Sequence, residues 1–410
     1  MERVRRFSLM CMAAVLALAS PFSGVRAHDD EGQCRHRYGR GRETCEEQYR
    51  RFHACQRNYR RCGFSTLGDS MTDEYQGSVN IAGYNWVEQL VMLRRLDFGR
   101  YEEDPAIRGE PRDTGYAHNW ARWGASATEP TYAEAYPWAQ ICGGPCTGKS
   151  LLLQTIPHFS LQVDGLVPEV AAGRVQVVSI AIGYNDFAIY QNALGGNFLD
   201  DRFDSLSESI IERIVGAVDA LQAAGPVMIV AWQIPSSGFI PAGVEGIART
   251  NASLAAALST RSVPMFDLWA FFSDPSNVYR TSTLPDGTTV VDLMLGDEYG
   301  VRVVPWVAAS ISELVDPDDP RAIGPCRVVG PEWWDPVTTS ALKCATLEYE
   351  LHPLMDDNQH QGTLDCGMAA NEVIKALNST FALTIPPLSS EEMLEVAGIS
   401  RGECEHHGPR

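Results

Sequence analysis

The sequence predicts an α/β fold built on a parallel β-sheet, and three observations predict it. Short apolar runs of strand length alternate with longer segments of helical period. The run 175–182, Val-Gln-Val-Val-Ser-Ile-Ala-Ile, is nearly continuous and β-branched, as a strand covered on both faces reads. The runs also stop sharply at Gly, Asp, Asn or Pro, the residues that turn a chain at a sheet edge.

Taken in order, Phe64–Gly68 is the first strand and 84–95 the helix behind it. A loop-rich region covers 97–150, and a helical stretch near 151–172 leads to strand 175–182. Residues 202–224 form an amphipathic helix, with Ile210, Ile211, Ile214, Val215, Val218 and Leu221 at helical spacing, stopped by Gly225-Pro226. Strand 227–232 ends in Gln233-Ile234-Pro235, Val244–Ser259 is a helix, 263–268 is the last core strand, and 368–377 is a closing helix. The sheet is expected to hold about five strands. Residues 281–345 break the alternation and read as an insertion, with a hairpin-like turn at Pro285-Asp286-Gly287. Trp306, Trp333 and Trp334 in it are open to two readings, sugar-stacking faces or a small satellite core. The run Asp316-Pro317-Asp318-Asp319-Pro320 reads as a solvated turn, because it lacks the Gly and ligand rhythm of a Ca²⁺ loop.

The chemistry-bearing residues fall at strand ends. Gly68-Asp69-Ser70 is a tight turn between a strand and a helix, so Ser70 stands at the C-terminal edge of a sheet beside backbone N–H groups able to receive an oxyanion. The stretch Asn119-Trp120-Ala121-Arg122-Trp123-Gly124 supplies a glycine whose backbone can approach a substrate closely. Strand 175–182 ends in Gly183-Tyr184-Asn185-Asp186, where the Asn185 amide can donate to an oxyanion. Near the C-terminus, Asp357-Asn358-Gln359-His360 precedes a helix. An imidazole there can take and return the Ser70 proton, and a carboxylate can fix its tautomer.

These four blocks, in this order, resemble the SGNH (GDSL-type) hydrolases. The words Asn85-Trp86-Val87-Glu88-Gln89-Leu90 and Leu96-Asp97-Phe98-Gly99 look like a bacterial secreted branch of that family, and Met71 stands where the family name has Leu. The resemblance covers roughly residues 64–382. It implies a flavodoxin-like three-layer α/β/α sandwich, the SGNH hydrolase fold, with the site at the C-terminal ends of the strands. It also implies a serine ester hydrolase: Ser70 as nucleophile, His360 as base, Asp357 orienting it, and an oxyanion hole of Ser70 N–H, Gly124 N–H and the Asn185 amide. His352 and Asp356 lie nearby, but a helix follows Asp357/His360 at the family's usual distance. Asp69 is expected to shape the turn and Asp186 to support the Asn185 loop. No metal and no organic cofactor is called for. Acylated carbohydrate or short acyl esters are the favoured substrates, ahead of lipids. An envelope acyltransferase and a catalytically silent carbohydrate-binding protein are the alternatives on the same fold.

Composition bounds the setting. Arg3, Arg5 and Arg6, an apolar run from Phe7 to Ala19, and Val25-Arg26-Ala27 read as a signal peptide over 1–27, too short to span a membrane, and no stable anchor is expected. The formal charge of −19 becomes −22 without that segment, which holds four Arg and one Glu; nucleic acid is excluded as a partner, and a monomer is expected. Cys34, Cys45, Cys55, Cys62, Cys142, Cys146, Cys326, Cys344, Cys366 and Cys404 read as disulfides of an exported chain. Cys142–Cys146, Cys326–Cys344 and Cys366–Cys404 are the expected local pairs, and the four N-terminal cysteines allow three connectivities. Residues 28–62 form a separate Cys/Arg-rich segment of helical character. Between Cys34 and Cys62 it carries nine Arg against three Glu, read as a cap paired electrostatically with the acidic body in preference to a glycan-docking patch. Residues 63–382 are the hydrolase domain and 383–410 a tail. Asn251-Ala252-Ser253 and Asn378-Ser379-Thr380 match a glycosylation pattern that has no meaning in a bacterium.

Overall fold

Each central strand feeds two cores, one on each face, and that makes the molecule three layers deep. The computed structural model describes residues 42–74, 84–102, 115–128, 158–192, 201–235, 243–268, 279–283, 289–295, 298–303 and 363–396. In chain order the strands are β1 (Phe64–Gly68), β2 (Tyr101–Glu102), β3 (Gly115–Tyr116), β4 (Val177–Ala181), β5 (Met228–Trp232), β6 (Met265–Phe266), β7 (Tyr279–Thr283), β8 (Thr289–Leu295) and β9 (Glu298–Val303). The helices are α1 (Arg42–Arg57), α2 (Trp86–Arg94), α3 (Phe159–Ala171), α4 (Tyr184–Asn192), α5 (Asp201–Ala224), α6 (Val244–Ser259), α7 (Thr363–Phe381) and α8 (Ser390–Val396). Strands β1, β4, β5 and β6 form one parallel sheet in that order.

The pleat sorts the side chains. On β5, Met228, Val230 and Trp232 join one core, while Ile229 and Ala231 join the other. Leu90 of α2, Val373 and Leu377 of α7 and Met393 of α8 close the first. Leu166 of α3, Ile210 and Leu221 of α5 and Leu254 of α6 close the second. Each such side chain contributes roughly 1.5–3 kcal/mol by leaving water, so apolar burial fixes the helices on both faces. The fold class is α/β, a parallel sheet flanked by helices.

Four strands are described in this sheet, where about five were expected. The position beyond β1 is filled by backbone that bonds without becoming a regular strand. Phe64 N–H donates to Asp97 O at 2.8 Å, in an isolated parallel bridge between Gly63 and Asp97. Further along, residues 118–122 follow β1: Thr66 N–H donates to His118 O, Trp120 N–H to Thr66 O and Arg122 N–H to Gly68 O, at 3.4, 3.0 and 3.1 Å. β1 is therefore bonded on both edges. The expected strand 263–268 shrinks to two residues, since Pro264 has no N–H to give the ladder. The hairpin expected around Pro285-Asp286-Gly287 is present as antiparallel β7 and β8, with Thr283 opposite Thr289, and β9 extends it.

Segments on both sides of residues 63–382 also pack against this fold. The Cys55–Cys62 disulfide ties α1 to the start of β1, closing a loop whose chain entropy is worth about 2–3 kcal/mol. Cys45 is disulfide-bonded as well. Gln48 Nε2 donates to Ala171 O and Arg51 Nη1 to Gly173 O (3.4 Å), carbonyls at the C-terminal end of α3. The electrostatic cap reading fits less well. Arg50 and Arg51 pair with Glu47 of their own helix, and exposed Arg57, Arg60 and Arg61 meet no carboxylate among the described residues. Residues 383–396 pack into the first core as well, with Leu383, Ile385, Leu388 and Met393 buried.

Cys366 is buried, and Cys404, its expected partner, lies outside the described residues. Cys142, Cys146, Cys326, Cys344, Trp306, Trp333, Trp334, the acidic run and residues 1–41 lie outside the described residues. Among the described residues no helix is long and apolar enough to cross a membrane.

Candidate active site

β1 ends at Gly68, and Asp69 winds the turn that follows. Its carbonyl accepts the N–H groups of Thr72 and Asp73, each at 3.0 Å, and its Oδ1 accepts Met71 N–H at 3.1 Å. Asp69 thus shapes the turn, as expected of an aspartate in this position. Ser70 lies within it, buried to 8% exposure. Gly68 beneath is clamped by Gln162 of α3: Gly68 N–H donates to Gln162 Oε1 and Gln162 Nε2 donates to Gly68 O, both at 2.9 Å.

The 118–122 strip brings Gly124 to the same end of β1. Gly124 has φ 73°, the left-handed region that glycine enters without a Cβ penalty. On the other edge, β4 ends at Ala181 and Gly183 turns the chain into α4. Gly183 has φ 117°, a conformation side chains rarely adopt, and a Cβ there would lie 2.7 Å from Ile234 Cδ1, so a substitution strains the turn. Asn185 and Asp186, expected in a loop, form the first turn of this helix. Asn and Asp serve turns and helix starts alike, which is why the sequence reads either way.

The two sides of β1 are bonded to each other. Asn185 Nδ2 donates to Ala125 O at 2.8 Å. Asp186 accepts Ala127 N–H at 2.7 Å, Thr128 N–H at 2.8 Å and the Thr128 hydroxyl at 2.6 Å. Asp186 therefore supports the segment after Gly124, and the buried site pushes its carboxyl up to about 6 despite those three donors. Ser70, Gly124 and Asn185 share one corner of the sheet's C-terminal edge.

That corner is where the chain changes direction. After β1 it passes to the Asp97 side and then returns to β4 on the other side, and such a switch leaves a crevice outside the strand ends. A cleft of ≈ 520 Å³, counting its open mouth, lies beside that corner, with Asp69, Met71, Trp86, Ile182, Tyr184 and Trp232 among its walls; Ser70, Gly124 and Asn185 adjoin lining residues but do not line it themselves. The indole N–H of Trp86 donates to Met71 O at 3.1 Å and that of Trp232 to Ser179 Oγ at 2.6 Å, so both polar handles are used within the protein. Helix α7 begins beside this cleft: Thr363 Oγ1 accepts Tyr84 N–H at 3.2 Å and Thr363 O accepts Gln89 Nε2 at 2.7 Å. Asp357 and His360, with Asp356 and His352, lie outside the described residues. Among the described residues no three His, Cys, Asp or Glu converge to hold a metal.

Sequence reasoning singled out other tryptophans and missed Trp86 and Trp232. Their signal was position: Trp232 ends a strand and Trp86 opens the helix after the Ser70 turn. Gln162 was missed because a polar residue on a helix says nothing about a partner 94 residues away. No family model matches the chain, and no curated protein matches it either.

Proposed function

We propose that the protein is an exported serine ester hydrolase of the SGNH type, on a flavodoxin-like sandwich, working at this corner without metal or cofactor. One observation carries the reading most: the Asn185–Ala125 bond, which places an amide donor and the Gly124 segment together across the end of the strand that carries Ser70. In this account Ser70 Oγ attacks the ester carbonyl carbon and its proton passes to His360. The tetrahedral oxyanion accepts Ser70 N–H, Gly124 N–H and the second N–H of the Asn185 amide, the first being given to Ala125 O. The C–O bond to the alcohol breaks as His360 returns the proton, and water activated by His360 then cleaves the acyl-enzyme.

Three further observations support it. The switch-point cleft has mainly apolar walls, which suits a short acyl group of a carbohydrate or simple ester. Thr363 follows His360 by three residues, a reach of about 11 Å at most for an extended chain, and Thr363 stands against α2 beside the cleft. The Cys55–Cys62 bridge fits an oxidising compartment.

The test is turnover of p-nitrophenyl acetate and of acetylated glycans. Ser70→Ala and His360→Ala are expected to lower kcat on the order of 10³-fold or more with Tm unchanged. His352→Ala leaves kcat near wild type. Full turnover in Ser70→Ala contradicts the reading, and loss only in His352→Ala reassigns the base.

A further inference from the structure

The turn that carries Ser70 ends in two buried carboxylates that no step above uses, Asp73 and Glu74. Both reach across to the strip that leads to Gly124. Asp73 Oδ2 accepts Trp123 N–H at 2.8 Å, and Glu74 Oε1 accepts Tyr116 N–H at 2.7 Å. Arg122, itself buried, sets Nη1 3.8 Å from Asp73 Oδ1, and the same nitrogen donates to Asn119 O at 2.9 Å and to Ala121 O. Asn119 Nδ2 donates to Thr72 O at 2.9 Å, while Asn85 Nδ2 donates to Thr72 O at 3.1 Å and to Asp73 O.

These bonds join the nucleophile's turn directly to the oxyanion segment. Trp123 precedes Gly124, so a bond that fixes the Trp123 N–H restrains the torsions that aim the Gly124 N–H. A carboxylate is a costly way to accept one N–H in a buried site. Burial pushes the Asp73 carboxyl up to about 7, with Arg122 opposing and Glu74 adding to the rise, and burial raises Glu74 too. Neutral groups accept a backbone N–H more cheaply, so this placement calls for a role.

We propose that Asp73 is a positioning residue for the oxyanion hole, its carboxyl oxygen on Trp123 N–H holding the Gly124 N–H toward the Ser70 site. Glu74 holds the far end of the same strip at Tyr116, and Arg122 offsets the charge. The proposal rests on the serine-hydrolase reading and concerns geometry at one atom, Asp73 Oδ2. That makes it separable from a role for charge alone.

The test compares three variants of the full chain by kcat and KM on p-nitrophenyl acetate, with Tm and fluorophosphonate labelling of Ser70 alongside. Asp73→Asn keeps an acceptor oxygen in place and is expected to retain kcat within a few-fold. Asp73→Glu keeps the charge but moves the oxygens by a methylene, and is expected to lose about 10–10² in kcat, part of the cost of losing an oxyanion donor, with KM within two-fold. Asp73→Ala is expected to lose at least as much. If Asp73→Ala proves too unstable to assay, the Asn and Glu pair decides alone. Wild-type kcat in Asp73→Glu together with a loss in Asp73→Asn overturns the proposal in favour of charge, and wild-type kcat in all three overturns it outright. A wild-type protein that neither labels nor turns over any ester fails the hydrolase reading itself, which is a different outcome.

Discussion

The Asn185 side chain donates to Ala125 O at 2.8 Å, from α4 on one side of β1 to the strip on the other. The bond spans the end of the strand that leads into Ser70. It uses one of the two amide hydrogens and fixes the direction of the second. Asn185→Ala removes both and is expected to lower kcat about 10²–10³-fold. Steady-state kinetics on p-nitrophenyl acetate checks this, with KM held and Ser70 still present. A variant at wild-type kcat removes Asn185 from the oxyanion hole.

Gln162 answers both polar groups of Gly68 from α3, and Gln162 is fully buried. Gln162→Met keeps the volume but strands Gly68 N–H. A buried unsatisfied backbone group costs about 1–3 kcal/mol. Chemical denaturation should show a loss of that size, and an unchanged midpoint would mean that another acceptor serves Gly68.

Buried carboxyls shape the pH dependence of stability, Asp186 and Asp365 alongside Asp73 and Glu74. Burial pushes the Asp186 carboxyl up to about 6, and Asp365 in the first turn of α7 is raised well above its ordinary value of 3.8 by burial, its Oδ1 without a hydrogen-bond partner among the described residues. The folded chain holds these protons more tightly than the unfolded chain. Stability from Asp186 and Asp365 is therefore complete below pH 3.8 and falls as pH rises, through about 6 for Asp186. For Asp186 the shift amounts to about 3 kcal/mol. Asp365→Asn removes one such cost, so its Tm relative to wild type should rise more at pH 8 than at pH 4. Equal shifts at both pH values would mean that Asp365 does not titrate between them.

Arg94 anchors the C-terminal segment. Its guanidinium forks onto Glu392 at 2.7 and 2.6 Å and donates to Pro386 O at 2.7 Å and to Pro387 O. The Arg94 bond draws the Glu392 carboxyl down to about 2, so this stabilisation is full above pH 4.5 and fades as pH falls toward 2. Arg94→Ala should cost about 1–3 kcal/mol, because Arg94 is buried while Glu392 keeps contact with solvent, which screens the pair. Limited proteolysis should then cut first within 383–396. Cleavage elsewhere first would separate Arg94 from this role.

Legibility followed periodicity. β1, β4 and β5 could be read as short apolar runs stopped by turn residues and α5 by its 3.6-residue apolar spacing, while the candidate residues Ser70 and Asn185 drew attention because turn residues stand after strands. The strip His118-Asn119-Trp120-Ala121-Arg122 has no period, yet its backbone fills the edge of β1. Leu383, Ile385 and Leu388 surround Pro386-Pro387 and show no regular repeat, which hid their burial. Among the described residues, four amides each clamp the N–H and C=O of a single backbone residue: Gln162 on Gly68, Asn251 on Ile234, Asn371 on Leu388 and Asn378 on Ile385. Asn251 and Asn378 match a glycosylation pattern in the sequence, and in the fold their side chains hold backbone. Such pairings are made by the shape of the fold and not by a repeating spacing, so no local pattern announces them.

The central claim is an activated serine at the end of β1. Labelling the oxidised, folded protein with a fluorophosphonate and mapping the adduct tests it most directly. The account predicts a single adduct on Ser70, absent in Ser70→Ala and slower to form in Asn185→Ala. No adduct on folded protein, or ester turnover with the adduct on another residue, contradicts it.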